Sequence, residues 1–250
     1  MESTLGIDLS ADPARTAACL ITWREGSPGR VEFLLAGSED ATRLDDDGLV
    51  AMIAEADLSG IDAPFGWPVA FVEAVRNWSE RKTWSTGPDL TDLRYRATDL
   101  RVPGPRRPLS VSTDLIGVTA MRCAAILDAL GPELDRSGIT GPAIEVYPAA
   151  ALRHWGLVAS GYKGGARSDV RRRLVAELVE RLSGVCEIGE EVTILCERSH
   201  DALDSLVASL AVRARMRGLT SVPSGAAEAG LARIEGWIHV PVCELGELAG

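Results

Sequence analysis

Aspartates recur in this chain at places where an isolated carboxylate serves a fold poorly. Asp8 lies in Gly6-Ile7-Asp8-Leu9-Ser10 and Asp62 in Gly60-Ile61-Asp62-Ala63-Pro64, each at the end of an apolar, strand-like run. Asp201 and Asp204 stand three residues apart in Ser199-His200-Asp201-Ala202-Leu203-Asp204, a helix-like run, and residues at that spacing share a helix face. Carboxylates drawn to one point repel one another unless a cation joins them. The usual cation is a pair of magnesium ions, and the chemistry such a pair serves is in-line attack on a phosphodiester. These four acids therefore predict a metal-dependent phosphodiesterase or nuclease using Mg2+ or Mn2+, with RNA or DNA as its substrate.

Each acid also has a simpler reading. Asp62, before Ala63-Pro64, is equally suited to capping a turn. Asp201 follows Ser199-His200 and fits a helix N-cap or a first-turn acid that favours the helix dipole. Asp204 interrupts an otherwise apolar helix, and Asp8 sits inside a β run where aspartate is disfavoured, so both lean toward function. Glu145, in Glu145-Val146-Tyr147-Pro148, is a further acid on a strand: a fifth carboxylate, or a group that orients Arg96. Arg96 with Asp99 offers a fork for phosphate oxygens, or an ion pair that anchors its own segment. Lys163 in a glycine-flanked loop poses the same choice, and His200 is either a proton shuttle or a local hydrogen-bonding partner. Trp67, Trp78 and Trp84 offer stacking surfaces for bases, or core and interface material.

The elements that must position these residues are legible as apolar runs. Leu5 to Leu9, Thr16 to Trp23 and Val31 to Leu35 read as an antiparallel meander. Asp45-Asp46-Asp47 opens a helix over 48–56, and Leu58 to Ala63 reads as a buried strand stopped by Pro64. From 67 to 141 the pattern changes to a helical insertion, with helices over 69–82 and 113–130. A strand follows at 143–147, then helices over 149–155, 168–182 and 201–215, and a terminal strand or docked tail over 236–241.

The 250 residues suit one domain, with residues 225–250 as a C-terminal tail, and a 46% hydrophobic content supports a full core. The net charge of −10 opposes generic adhesion to nucleic acid, so a polyanion must be held locally, by Arg94, Arg96, Arg101, Arg106 and Arg107 or by Arg171, Arg172 and Arg173. The five cysteines are widely spaced without a close pair, which argues against a zinc site or a disulfide framework and for a reducing compartment. No basic leader and no membrane-length apolar run is seen, and a cytoplasmic protein is expected.

Six segments in order resemble one family: Gly6-Ile7-Asp8, Ile61-Asp62-Ala63-Pro64, Arg96-Ala97-Thr98-Asp99, Glu145-Val146-Tyr147-Pro148, His200-Asp201-Ala202-Leu203-Asp204 and Glu235-Gly236-Trp237-Ile238. The chain is similar over nearly its whole length to domain of unknown function 429, a family of predicted nucleases. That likeness implies an α/β, ribonuclease H-like fold, a mixed five-stranded sheet in βββαβαβα order with a helical insertion between strands 4 and 5. The late acid pair also resembles the end of the Holliday-junction resolvases, which implies Asp8 bridging two metals completed by Asp62, Asp201 and Asp204. Two other readings remain. Actin-like ATPases and sugar kinases also begin with Gly-Ile-Asp, but Ser10-Ala11-Asp12-Pro13 lacks the glycine-rich phosphate turn they need. A non-catalytic module that binds nucleic acid or another partner through the same acids is the second.

Overall fold

A computed structural model of the chain describes residues 1–37, 44–84, 90–105, 107–131, 134–164 and 167–249. Six strands form one mixed sheet: β1 (Glu2–Asp8), β2 (Ala17–Trp23), β3 (Gly29–Ala36), β4 (Leu58–Ile61), β5 (Ala143–Glu145) and β6 (Cys186–Glu187), in the spatial order β5-β4-β1-β2-β3-β6. The β1-β2-β3 meander is antiparallel, while β4 and β5 join β1 in parallel, as their helical crossovers require. The expected count of five strands is corrected to six. The additional strand, β6, is two residues long and pairs only with Gly29 and Arg30, too short to leave a periodic pattern.

The described residues form ten helices: α1 (Asp46–Glu55), α2 (Val69–Ser79), α3 (Thr91–Arg94), α4 (Ala97–Arg101), α5 (Gly117–Ala129), α6 (Pro148–His154), α7 (Ser168–Arg181), α8 (Glu190–Arg198), α9 (His200–Met216) and α10 (Gly225–Glu235). Helix α1 begins where Asp45 accepts from the Gly48 N–H at 2.9 Å, and Pro148 opens α6 at a position where its missing N–H costs nothing. Two helices depart from expectation. Helix α8 lies where the sequence pattern assigns no element, and α10 takes up the first 11 residues of what reads from sequence as a tail. The 236–241 segment docks through single bridges, Ile238 to Glu145 and Pro241 to Thr220, rather than as a strand.

Alternation along β1 divides the molecule. Leu5 and Ile7 face a core shared with Leu49 and Ile53 of α1 and Cys123, Ile126 and Leu127 of α5. Thr4, Gly6 and Asp8 face the other way, toward α9, whose Leu203, Leu206, Val207 and Leu210 belong to the larger core. From Asp201 to Ala214 helix α9 is buried on every side. All five cysteines are free and buried, and no described helix is long and apolar enough to cross a membrane.

Candidate metal centre

Two glycines let α9 approach the sheet. Gly6 and Gly60 are partners in the parallel β1–β4 register, and both lie beneath the helix. A Cβ at Gly6 would stand 2.1 Å from the Ser205 carbonyl oxygen and 2.2 Å from the Ser209 nitrogen; one at Gly60 would stand 2.5 Å from Val212 Cγ2. The bare backbone is filled by polar contacts in which Ser209 Oγ donates to the Thr4 carbonyl at 2.9 Å and the Trp23 indole N–H donates to Thr4 Oγ1 at 2.9 Å.

Two residues beyond each glycine, on the same face, come Asp8 and Asp62. Pairing continues past β4, with the Asp62 N–H donating to the Ile7 carbonyl at 2.8 Å, so the two aspartates end adjacent parallel strands side by side. Helix α9 supplies Asp204. One carboxylate oxygen from each of Asp8, Asp62 and Asp204 lies within 4.8 Å of the others. The three meet at the carboxyl ends of β1 and β4, where ligands of open α/β sheets bind.

Asp204 is wholly buried, and its two oxygens have different company. Oδ1 accepts from the Tyr162 hydroxyl at 2.7 Å, while Oδ2 faces Lys163 Nζ at 2.6 Å in an ion pair lacking hydrogen-bond alignment. The loop that carries both side chains is braced by buried Arg171, whose guanidinium donates to the Tyr162 carbonyl at 2.8 Å and, across the end of α8, to Glu197 at 2.9 Å and Arg198 at 2.8 Å. A cation there also satisfies carbonyls that a helix C-terminus leaves unpaired.

The electrostatics of the cluster follow from burial and crowding. Burial first, then the charges of Asp204 and Asp62, hold the Asp8 carboxyl well above the usual carboxylate range. Burial pushes Asp62 up to about 7 against the opposing pull of Lys163. Burial alone would lower the Lys163 ammonium, but Asp204, Asp62 and Asp8 together reverse this and hold it above its ordinary value. Burial, and then Asp204, raise the Tyr162 phenol, which keeps it a donor. Three acids with one lysine leave negative charge uncompensated, a condition that a bound cation relieves.

The other residues singled out from sequence stand elsewhere. Asp201 is outside the trio, its Oδ1 lying 3.1 Å from His200 Nε2, and burial lowers the His200 imidazole despite that acid. Glu145 pairs in register with Ile61, one residue short of Asp62, so it starts from the opposite sheet face and stands outside the acid trio, although it lines the same cavity. It accepts from Arg96 twice, at 2.7 and 2.8 Å, and from the Phe65 N–H at 3.0 Å. Arg96 spends its remaining donors on Asp99, at 2.9 and 3.2 Å, and on the Glu235 carbonyl at 3.0 Å. With five N–H groups engaged and 2% exposure, Arg96 and Asp99 anchor the insertion rather than grip a phosphate. Glu235 caps the same network, accepting from the N–H groups of Val69 at 2.8 Å and Ala97 at 2.9 Å.

The expected basic surfaces are only partly kept: exposed Arg94 and Arg107 converge on one ring, while others are paired with acids. Arg94 and Arg107 each lie 5.1 Å over the Tyr95 ring, Arg101 pairs with Glu228, Arg172 pairs with Asp169, and Arg106 lies outside the described residues. Trp78 and Trp84 pack edge to face at 6.3 Å, with Trp67 half-buried, and none of the three lines the acid site.

A cavity of about 470 Å³ opens above Asp8 and Asp62. Pro108, Leu109, Ile116 and Thr119 of the 67–141 insertion wall one part, and Tyr147 and Lys163 wall another. Sequence reasoning missed Tyr162, whose signal is its place next to Lys163 in the glycine-flanked loop, and Tyr147, visible only as part of a motif.

A family model described as a protein of unknown function, DUF429, matches the chain over residues 6–228. The chain belongs to the DUF429 family. Comparison of this DUF429 protein with curated proteins and with solved structures finds no match.

Proposed function

We propose that this DUF429 protein is a metal-dependent phosphodiester hydrolase of the ribonuclease H-like class. The observation that carries the reading is the convergence of Asp8, Asp62 and Asp204, from three separated segments, at the carboxyl edge of the sheet. The meander, the two parallel strands that follow and the late acidic helix support the fold assignment. A divalent ion fits this donor set: three hard oxygens suit magnesium or manganese, which take few carboxylates and keep several waters. One carboxylate oxygen of each acid lies within 4.8 Å of the others, so the three would hold such an ion between them.

Such an ion supplies Lewis acidity toward a phosphoryl oxygen and a water made nucleophilic at neutral pH. The chain's own residues divide the rest. Asp8 and Asp62, on adjacent rigid strands, fix one side of the centre, and Tyr162 fixes the Asp204 rotamer through its hydroxyl. Lys163, held protonated, presents a positive charge to a phosphate oxygen and a proton to the departing one. Because Asp201 is engaged by His200, the geometry favours one ion with Lys163 as the second cation over two ions.

The Lys163–Asp204 contact also favours a second reading, in which lysine is the permanent counterion of a non-catalytic module. A thermal melt with and without manganese separates the two. At a concentration 100 times its Kd, an ion that binds only the folded state adds about 2.7 kcal/mol. For a chain of this size that is a Tm rise of roughly 5–10 °C. Asp8→Asn and Asp204→Asn should remove most of it, along with manganese-dependent cleavage of labelled RNA or DNA. No rise in the wild type would leave the counterion reading standing.

A further inference from the structure

The chamber above the acids differs in character from its floor. Beyond Asp8, Asp62 and Glu145, its described lining is mainly apolar, with Leu9, Pro64, Leu109, Ile116 and Ile238 around the half-exposed ring of Tyr147. Tyr147 and Thr119 both line it, and their hydroxyls make no hydrogen bond among the described residues. Its described cations are Arg96, whose donors are all engaged, and Lys163, at the acids. A volume of about 470 Å³ is that of a small-molecule site, which commonly spans about 300–1,000 Å³.

A continuous strand requires something else. A reader of the backbone neutralises successive phosphates with lysine or arginine, and its affinity then falls steeply with salt. Here the net charge is −10, Arg101 is paired with Glu228, and Arg94 and Arg107 lie over the Tyr95 ring, outside the cavity lining. Apolar walls, an aromatic ring and free hydroxyls suit a nucleobase, which has apolar faces and a polar edge. The acidic floor, bridged by its cation, suits one phosphate.

Resting on the metal-hydrolase reading, we infer that the site takes a nucleoside phosphate ester of one or two nucleotides, with the base against Tyr147 and its phosphate over Asp8 and Asp62.

Two measurements on the full chain test this. Calorimetry with thymidine and adenosine monophosphates in manganese should detect binding. Tyr147→Ala should weaken it about tenfold, the loss of one base–aromatic stack, while Tyr147→Phe changes it less than threefold. The manganese-induced Tm rise, unchanged in both variants, shows that the fold and the ion site persist. Cleavage is then compared across a thymidine p-nitrophenyl phosphate ester, a dinucleotide, a 30-nucleotide strand and a duplex. The expected kcat/KM per bond is within threefold for the dinucleotide and the strand, with the ester, which carries a better leaving group, at least as fast, and it falls about threefold between 50 and 200 mM salt, as one phosphate contact requires.

Long strands cleaved at least a hundredfold better than the dinucleotide, with a steep salt dependence, would overturn the inference and leave the hydrolase reading intact. Nucleotides bound in a Tyr147-dependent way with no ester cleaved would support the ligand class and remove hydrolysis. Neither binding nor cleavage would overturn both.

Discussion

At the scale of single residues, Asp62 shows how position sets chemistry. Its carboxyl is pushed up to about 7 by burial in the folded protein, whereas in the unfolded chain it titrates near 4. Between those values the folded state binds more protons than the unfolded one, so stability falls as pH rises through the window. In EDTA, the wild-type Tm should therefore decline between about pH 4 and 7 more steeply than that of Asp62→Asn, and manganese should flatten the difference. Parallel slopes for the two proteins would mean that Asp62 sits in no such cluster. Asp8, Asp62 and Asp204 could be chosen from sequence because each puts a charge where apolar neighbours make it costly. Asp201 and Glu145 carry double readings in the sequence, Asp201 as a ligand or a helix-start acid and Glu145 as a fifth carboxylate or a partner of Arg96. What separates them from the trio is invisible in a linear pattern: His200 engages Asp201, and a one-residue difference in register starts Glu145 from the far face of the sheet.

Among elements, the seat of α9 on β1 and β4 determines whether the acids meet. Gly6→Ala would drive a methyl group into the backbone of Ser205 and Ser209, which have no side-chain freedom with which to yield. The expected cost is about 3 kcal/mol or more, at the upper end of overpacking, and the displaced helix should also weaken manganese binding. Chemical denaturation and a manganese titration check both. Gly60→Ala meets the Val212 side chain instead and should cost less, because a methyl group can move aside. The long elements are legible in the sequence: β1 and β2 are apolar, β-rich runs, and α7 and α9 carry leucines at helical spacing. Helices α8 and α10 were not, since α8 is nine residues with one fully buried side chain and α10 is rich in glycine and alanine.

For the molecule as a whole, the Arg96 network binds three distant parts: Glu145 from the sheet, Asp99 from the insertion and Glu235 from α10. Glu145→Ala leaves a buried guanidinium without its main partner and should cost about 3–5 kcal/mol. It should lower the Tm by several degrees yet leave manganese affinity within a few-fold of wild type; a complete loss of metal binding would return Glu145 to the centre itself. The same long-range construction has a bearing on how the protein is made. Thr4 and Ser209, which dock β1 to α9, lie 205 positions apart. At ribosomal rates of about 5–20 residues per second, roughly 10–40 s pass between emergence of the first strand and the helix that seals it. During synthesis, Asp8 and Asp62 emerge without Asp204, so the three-acid cluster cannot assemble until α9 has left the ribosome.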